Sequence, residues 1–163
     1  MYMKVMNGTL GMGGEQTMDE FIKDLDQNLE YLKHVINNTN INIYVISNRK
    51  ICKCPYCGFP SQRIHSYYEK SFQDLPIMGK KTKIFIKNKK MFCDNRDCSY
   101  TTFAERFDFL EHNSRKSKRL VDKIIEMSLY MNAVELSKVL KNGIAEIEKS
   151  TICNLLKNTR HYT

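Results

Sequence analysis

Two short-spaced cysteine pairs are the residues of this chain best suited to chemistry. Cys54 and Cys57 frame the segment Cys54-Pro55-Tyr56-Cys57-Gly58, and Cys93 and Cys98 enclose four residues, Asp94-Asn95-Arg96-Asp97. Between Cys57 and Cys93 lie 35 residues, strand-like and rich in lysine. The layout is that of a zinc ribbon, in which each pair sits on a tight turn and the two turns meet around one metal. Four thiolates satisfy a tetrahedral d¹⁰ ion, and the metal bonds substitute for a core that a small lysine-rich segment cannot build. Pro55 and Gly58 favour the turn at the first pair. The expected cofactor is Zn²⁺, held by Cys54, Cys57, Cys93 and Cys98. Four thiolates leave no open position for water, so such a site is structural rather than catalytic.

Other uses of the same thiols set the alternatives. Two disulfides could form from the four cysteines. Residues 1–20 contain no long apolar run, however, and Glu15, Asp19 and Glu20 come early, so no secretory signal is evident. The expected compartment is a reducing cytoplasm, at the nucleoid, where metal is favoured over disulfide. Redox use of the first pair is disfavoured by the presence of a second. Cys52 could replace Cys54 as a ligand, or be a free thiol on the incoming strand. His65 could compete for the metal, or pack at the surface beside Tyr67 and Tyr68. Cys153 has no partner at ligand spacing and reads as a packing thiol.

The elements that must position these groups follow from composition and pattern. The chain has 163 residues, 42% apolar and 27% charged, which describes a globular protein of one domain or two small ones. No apolar run approaches the roughly 20 residues needed to span a bilayer. The net charge of +8 is uneven, since residues 1–48 carry −3 and residues 49–163 carry +11. A polyanion is the natural partner of the basic part, nucleic acid ahead of membrane.

Residues 1–16 read as a loose tail. Thr17-Met18-Asp19-Glu20 is a capping box, and Phe21, Leu25, Leu29, Leu32 and Ile36 recur at spacings of three and four, predicting an amphipathic helix over 18–37. This helix either supports the ribbon or dimerises the protein. Asn37–Asn40 ends it, and residues 41–46 form a strand leading into the cysteines. Inside the ribbon, 66–69 and 72–75 read as short extended pieces, 76–79 as a turn and 81–87 as a strand. Tyr100–Ala104 is the closing strand. Lys80, Lys81, Lys83, Lys87, Lys89 and Lys90 crowd the 81–87 strand and its neighbourhood. They could contact phosphates or protect a strand edge.

After Phe103 the period becomes helical. A helix is expected over 114–131, with Arg115, Lys116, Lys118 and Arg119 in a basic first turn. Cations there oppose the macrodipole, and phosphate is a candidate for what favours them. Asn132 caps a second helix over 133–141, Asn142-Gly143 turns the chain, and a third helix covers 148–160. Three helices with a Gly-containing turn before the last suggest a helix-turn-helix. Lys149, Ser150, Thr151 and Asn154 would then face base edges in the major groove. A plain three-helix bundle is the alternative. The expected fold class is α+β: residues 1–48 as tail, helix and strand, 49–106 as an antiparallel zinc ribbon, and 107–163 as an all-α helix-turn-helix.

Cys54-Pro55-x-Cys57-Gly58, His65, Asp74-Leu75-Pro76-x-x-Gly79, Met91-Phe92-Cys93, Cys98, Phe103-Ala104-Glu105-Arg106 and Lys118-Arg119-Leu120 fall in the order seen in insertion-sequence transposases of the ISL-three family. The resemblance covers about residues 20–160. It implies that the four cysteines ligate zinc and that the helical part binds double-stranded DNA at terminal inverted repeats. The family's strand before the second pair is usually Arg-rich and here is Lys-rich, which removes bidentate guanidinium contacts there. The resemblance also implies a later domain in which three carboxylates hold two metal ions, and residues 1–163 offer no segment to carry them. The expectation is a non-catalytic DNA-recognition part. A zinc-containing transcription regulator, as a homodimer on paired half-sites, and a protein-interaction module are the alternatives.

Overall fold

A computed structural model describes residues 17–159. The fold is mixed α+β, with the order α1 (Met18–Leu25), β1 (Leu29–Ile36), β2 (Asn40–Ser47), β3 (Cys52–Lys53), β4 (Pro60–Ser61), β5 (Ile64–Ile77), β6 (Lys80–Phe92), β7 (Thr102–Ala104), α2 (Lys118–Ser128), α3 (Ala133–Lys141) and α4 (Lys149–Thr159). The main sheet runs β1-β2-β6-β5, with β7 paired to the far end of β6, and β3 and β4 form a separate two-stranded sheet. No helix among the described residues is long and apolar enough to cross a membrane.

The capping box at Thr17 and Glu20 is present and starts α1. The predicted helix over 18–37 is corrected, because it stops at Leu25. Asp26 adopts an extended conformation, and its carboxylate accepts from the backbone and side-chain amides of Asn28, at 2.9 and 3.0 Å. The chain then turns into β1, antiparallel to β2. Asn37–Asn40 is therefore the turn of a hairpin, closed by the Asn37 N–H to the Asn40 carbonyl at 2.9 Å. The three-and-four spacing of Leu29, Leu32 and Ile36 imitated a helix. Only Leu29 is buried; Leu32, at the bulge, is 54% exposed. Helix propensity is a weak preference, and strand pairing overrode it. The expected tail over 1–16 lies outside the described residues, as does Arg160.

β5 and β6 form one hairpin of 14 and 13 residues. The two short pieces expected at 66–69 and 72–75 are a single strand. Its turn is at Met78-Gly79, both with positive φ (53° and 69°), as a tight hairpin turn matching the strand twist requires. The hairpin's strands span about 45 Å at the usual rise per residue. β6 is a central strand, parallel to β2 and antiparallel to β5, so its lysines do not protect an edge.

Three apolar clusters lie along this hairpin. Ile22 of α1, Ile41, Ile43 and Val45 of β2, Phe72 of β5, Ile84 and Ile86 of β6, and Phe107 and Leu110 fill the core on one face of the sheet. Leu120, Ile124, Leu136, Leu140, Ala145, Ile147 and Ile152 pack α2, α3 and α4 together beside Leu75. Met91 and Phe103 support the cysteines at the far end. α3 keeps its predicted cap, Asn132 accepting from Val134 and Glu135 at 3.0 and 3.1 Å.

The basic helix start is resolved by a carboxylate inside the protein. Ser117 caps α2, so Arg115 and Lys116 precede the helix. Asp74, fully buried on β5, accepts from the Ser117 hydroxyl at 2.5 Å and from both Nε and Nη2 of Arg119. Arg119 also lies over the Phe21 ring, 4.8 Å from its centroid. Gln73 adds backbone bonds to Arg115 and Ser117, at 2.8 and 2.9 Å, and side-chain bonds to the backbone of Glu146.

Two substitutions test this architecture by urea denaturation. Asp74→Ala strands a charge-paired guanidinium and a cap hydroxyl, with an expected loss of about 2–3 kcal/mol. Leu32→Lys is expected to cost under about 0.5 kcal/mol, as for an exposed position; a loss several times larger would restore the long amphipathic helix.

Candidate metal centre and nucleic-acid interface

The first cysteine turn is made by local backbone bonds. β3 and β4 pair Cys52 with Ser61 and Lys53 with Pro60. The chain between them folds back, the Gly58 N–H donating to the Cys54 carbonyl at 2.8 Å and the Cys54 N–H to the Phe59 carbonyl at 2.9 Å. Gly58 has φ +75°, a conformation that costs glycine nothing. The second turn hangs from β6 and β7. The Cys93 N–H donates to the Thr101 carbonyl at 2.8 Å, the Cys98 N–H to the Asn95 carbonyl at 3.2 Å, and the Asn95 side chain accepts from the Asp97 N–H at 3.0 Å.

These turns bring the sulfurs of Cys54, Cys57, Cys93 and Cys98 within 4.8 Å of one another. Cys57 Sγ and Cys93 Sγ are 3.6 Å apart. A tetrahedral ion with Zn–S bonds of about 2.3 Å places its sulfurs about 3.8 Å apart, so the donor set fits zinc. A disulfide would need about 2.05 Å, and all six cysteines are free thiols. The Phe59 backbone N–H draws the Cys57 thiol down to about 7, whereas burial pushes Cys93 up to about 12. Thiolates, not thiols, bind the metal, so metal uptake releases protons. A stacked pair of rings, Tyr56 from the first turn and Tyr100 from the second, bridges the outside at 3.6 Å.

Neither competing ligand joins the cluster. Cys52 is buried, and burial followed by the nearby Glu105 charge pushes its thiol up to about 11. His65 packs edge-on against Phe92 and shares a 2.9 Å hydrogen bond with Ser66. Glu105 lies in a buried polar seam that the sequence did not reveal. It accepts from the Ser47 hydroxyl at 2.5 Å, lies 3.9 Å from Arg49, and has its carboxyl raised by burial. Arg49 also pairs with Asp26 and donates to the Arg106 carbonyl, tying the main sheet to the ribbon. The only forewarning was Glu105 within the segment 103–106.

The expected phosphate contacts do not form one surface. Lys83 and Lys87 are exposed on one face of β6, over the rings of Phe85 and Tyr67. Lys81 pairs with Glu146, and Lys80 donates to the Asn38 carbonyl at 2.8 Å. Lys89 is corrected: it is only 5% exposed and donates to the Arg49 carbonyl inside the polar seam. Lys90 is half-buried. Arg119 is corrected likewise, since Asp74 supplies the anion that a phosphate was expected to supply. Lys118 pairs with Glu111 at 3.0 Å, burial lowers the pKa of Lys116, and Arg115 is exposed. On α4, Lys149, Ser150 and Asn154 are exposed and Thr151 is half-buried, beside the inward Ile152.

Removing one ligand tests the centre. Cys57→Ser is expected to lose bound zinc and to unfold residues 54–103 cooperatively, read by metal content and thermal melting; unchanged values for both would refute the metal assignment. Residues 51–98 match the family model described as the zinc-finger of transposase IS204/IS1001/IS1096/IS1165. No curated protein and no solved structure matches the chain. The matched stretch and the converging thiols together make residues 51–98 a transposase-type zinc-binding region with a Zn²⁺ site.

Proposed function

We propose that this chain is the DNA-recognition part of an ISL-three-type transposase and binds duplex DNA at terminal inverted repeats. The observation that carries the reading is the transposase-type zinc region over 51–98, whose long β5–β6 hairpin is joined to a helical unit by the bonds of Asp74 to Ser117 and Arg119. In this reading residues 49–106 form the ribbon and 107–163 a helix-turn-helix. α3 supports α4, and α4 enters the major groove with Lys149, Ser150, Thr151 and Asn154 toward the bases. Asn pairs bidentately with adenine, and the hydroxyls accept several partners. Lys83, Lys87 and Arg115 keep exposed charge for phosphates. Zinc holds the ribbon's two turns and takes no part in bond cleavage. Strand transfer would require converging carboxylates, and the one group of potential metal ligands found among the described residues is the four cysteines.

The test is selection of a binding site from a random duplex pool with the zinc-loaded protein, repeated across salt. An enriched site is expected, with a slope of log affinity on log salt near −5, as about six phosphate contacts give. Thr151→Ala with Asn154→Ala is expected to erase the enrichment while leaving nonspecific affinity within a few-fold. Enrichment of promoter-like sites away from inverted repeats would favour a transcription regulator. No enrichment, with binding lost at moderate salt, would favour a protein-interaction module.

A further inference from the structure

The main sheet has a second face that the apolar core does not use. Alternation along β2 and β6 sends Ile41, Ile43, Val45, Ile84 and Ile86 into the core, so Tyr44 and Phe85 point the other way. They are direct neighbours across the parallel β2–β6 pair and stack at 4.9 Å, with their planes 15° apart. Both rings are half-buried. The ammonium of Lys33 lies over Tyr44, 5.0 Å from its centroid, and that of Lys83 lies over Phe85 at 5.1 Å. Lys87 lies over the exposed Tyr67 ring at 4.9 Å.

Next to this pair, toward the β5–β6 turn, a cavity of about 350 Å³ opens on the sheet. Its walls include Asn40, Asn42, Gln73, Lys83, Arg115 and Glu146. The amides of Asn40 and Asn42 can pair with base edges, and Lys83 and Arg115 offer charge to a phosphate. Glu30 and Glu69 stand opposite Ile46 and Lys87 farther along the strands, so the basic character is concentrated at the cavity end.

We propose that this face binds an unpaired polynucleotide strand, with bases stacking on Tyr44 and Phe85 while Lys33, Lys83 and Arg115 take the backbone phosphates. Flat, half-buried rings on a sheet face, flanked by cations, accept any base because every base has a π-face. A duplex cannot use them, since its bases are stacked on each other. The lysines that cover the rings swing toward the phosphates as bases arrive. The activity is distinct from groove reading by α4 and does not rest on it.

The experiment measures fluorescence anisotropy of labelled dT12, rU12 and a mixed 12-base-pair duplex against the zinc-loaded full chain. Tyr44→Leu with Phe85→Leu keeps apolar bulk and removes the rings. Binding of the single strands is expected to fall about 10- to 100-fold, as loss of two stacked bases implies, while duplex binding changes less than twofold. Preference for dT12 or for rU12 would name the natural strand, and either result supports the platform. If the ring variant melts early, Lys33→Glu, at an exposed position outside the proposed duplex contacts, serves instead, with a smaller loss expected that is again confined to the single strands. Single strands binding no better than the duplex, or equal losses for both in these variants, would overturn the proposal.

Discussion

Everything in this molecule hangs on the pairing of β5 with β6. The hairpin is long enough to serve three sites at once. Its turn end meets the helices, its middle supplies half of the main sheet, and its open end delivers Cys93 to the metal. The strands are held in register by the positive-φ turn at Met78-Gly79 and by the inward alternation of Phe72, Ile84 and Ile86. A slip of one residue would turn Ile84 and Ile86 outward and Lys83 and Lys87 into the core. Registry of this one hairpin therefore fixes both the apolar core and the distribution of charge on the opposite face.

The ends of the hairpin are secured by different physics. At the metal end there is little apolar material, essentially Met91 and Phe103 beneath the sulfurs, and zinc bonding stands in for a core. At the turn end a buried carboxylate does the joining. Asp74 collects the Ser117 hydroxyl and the Arg119 guanidinium, so the helical unit is attached through charge-assisted hydrogen bonds. Between them the seam of Ser47, Arg49, Lys89 and Glu105 connects the sheet to the ribbon through polar contacts. Breaking such a pair costs more than the pair contributes, because the remaining charge stays partly buried. Buried charge here defines how segments dock.

Helix boundaries show where sequence patterns mislead. Leu25, Leu29, Leu32 and Ile36 satisfy a helical period, yet Asp26-Gln27-Asn28 breaks the helix and the remainder pairs with β2. The mistake was one of partner, since no local rule says that a strand ten residues away will claim the segment. The six lysines of β6 misled in a similar way. Their clustering suggested one basic surface, but a strand sends alternate residues to opposite sides, and Lys89 is buried where it donates to the Arg49 carbonyl. The basic stretch before α2 read as a phosphate site because Asp74 lies 45 residues from Arg119.

The sequence alone determined what depends on a few adjacent residues. The four metal ligands follow from cysteine spacing, the second half of the expected 76–79 turn from Gly79, and the start of α3 from Asn132, because ligand reach, backbone φ and end-capping bonds all act within one turn of chain. Tertiary structure alone decided that β1 is a strand, that Arg119 and Lys89 serve the fold, and that Tyr44 and Phe85 meet on an open face. Those outcomes depend on segments distant in the chain, which share burial, charge and hydrogen bonds only once the sheet has assembled.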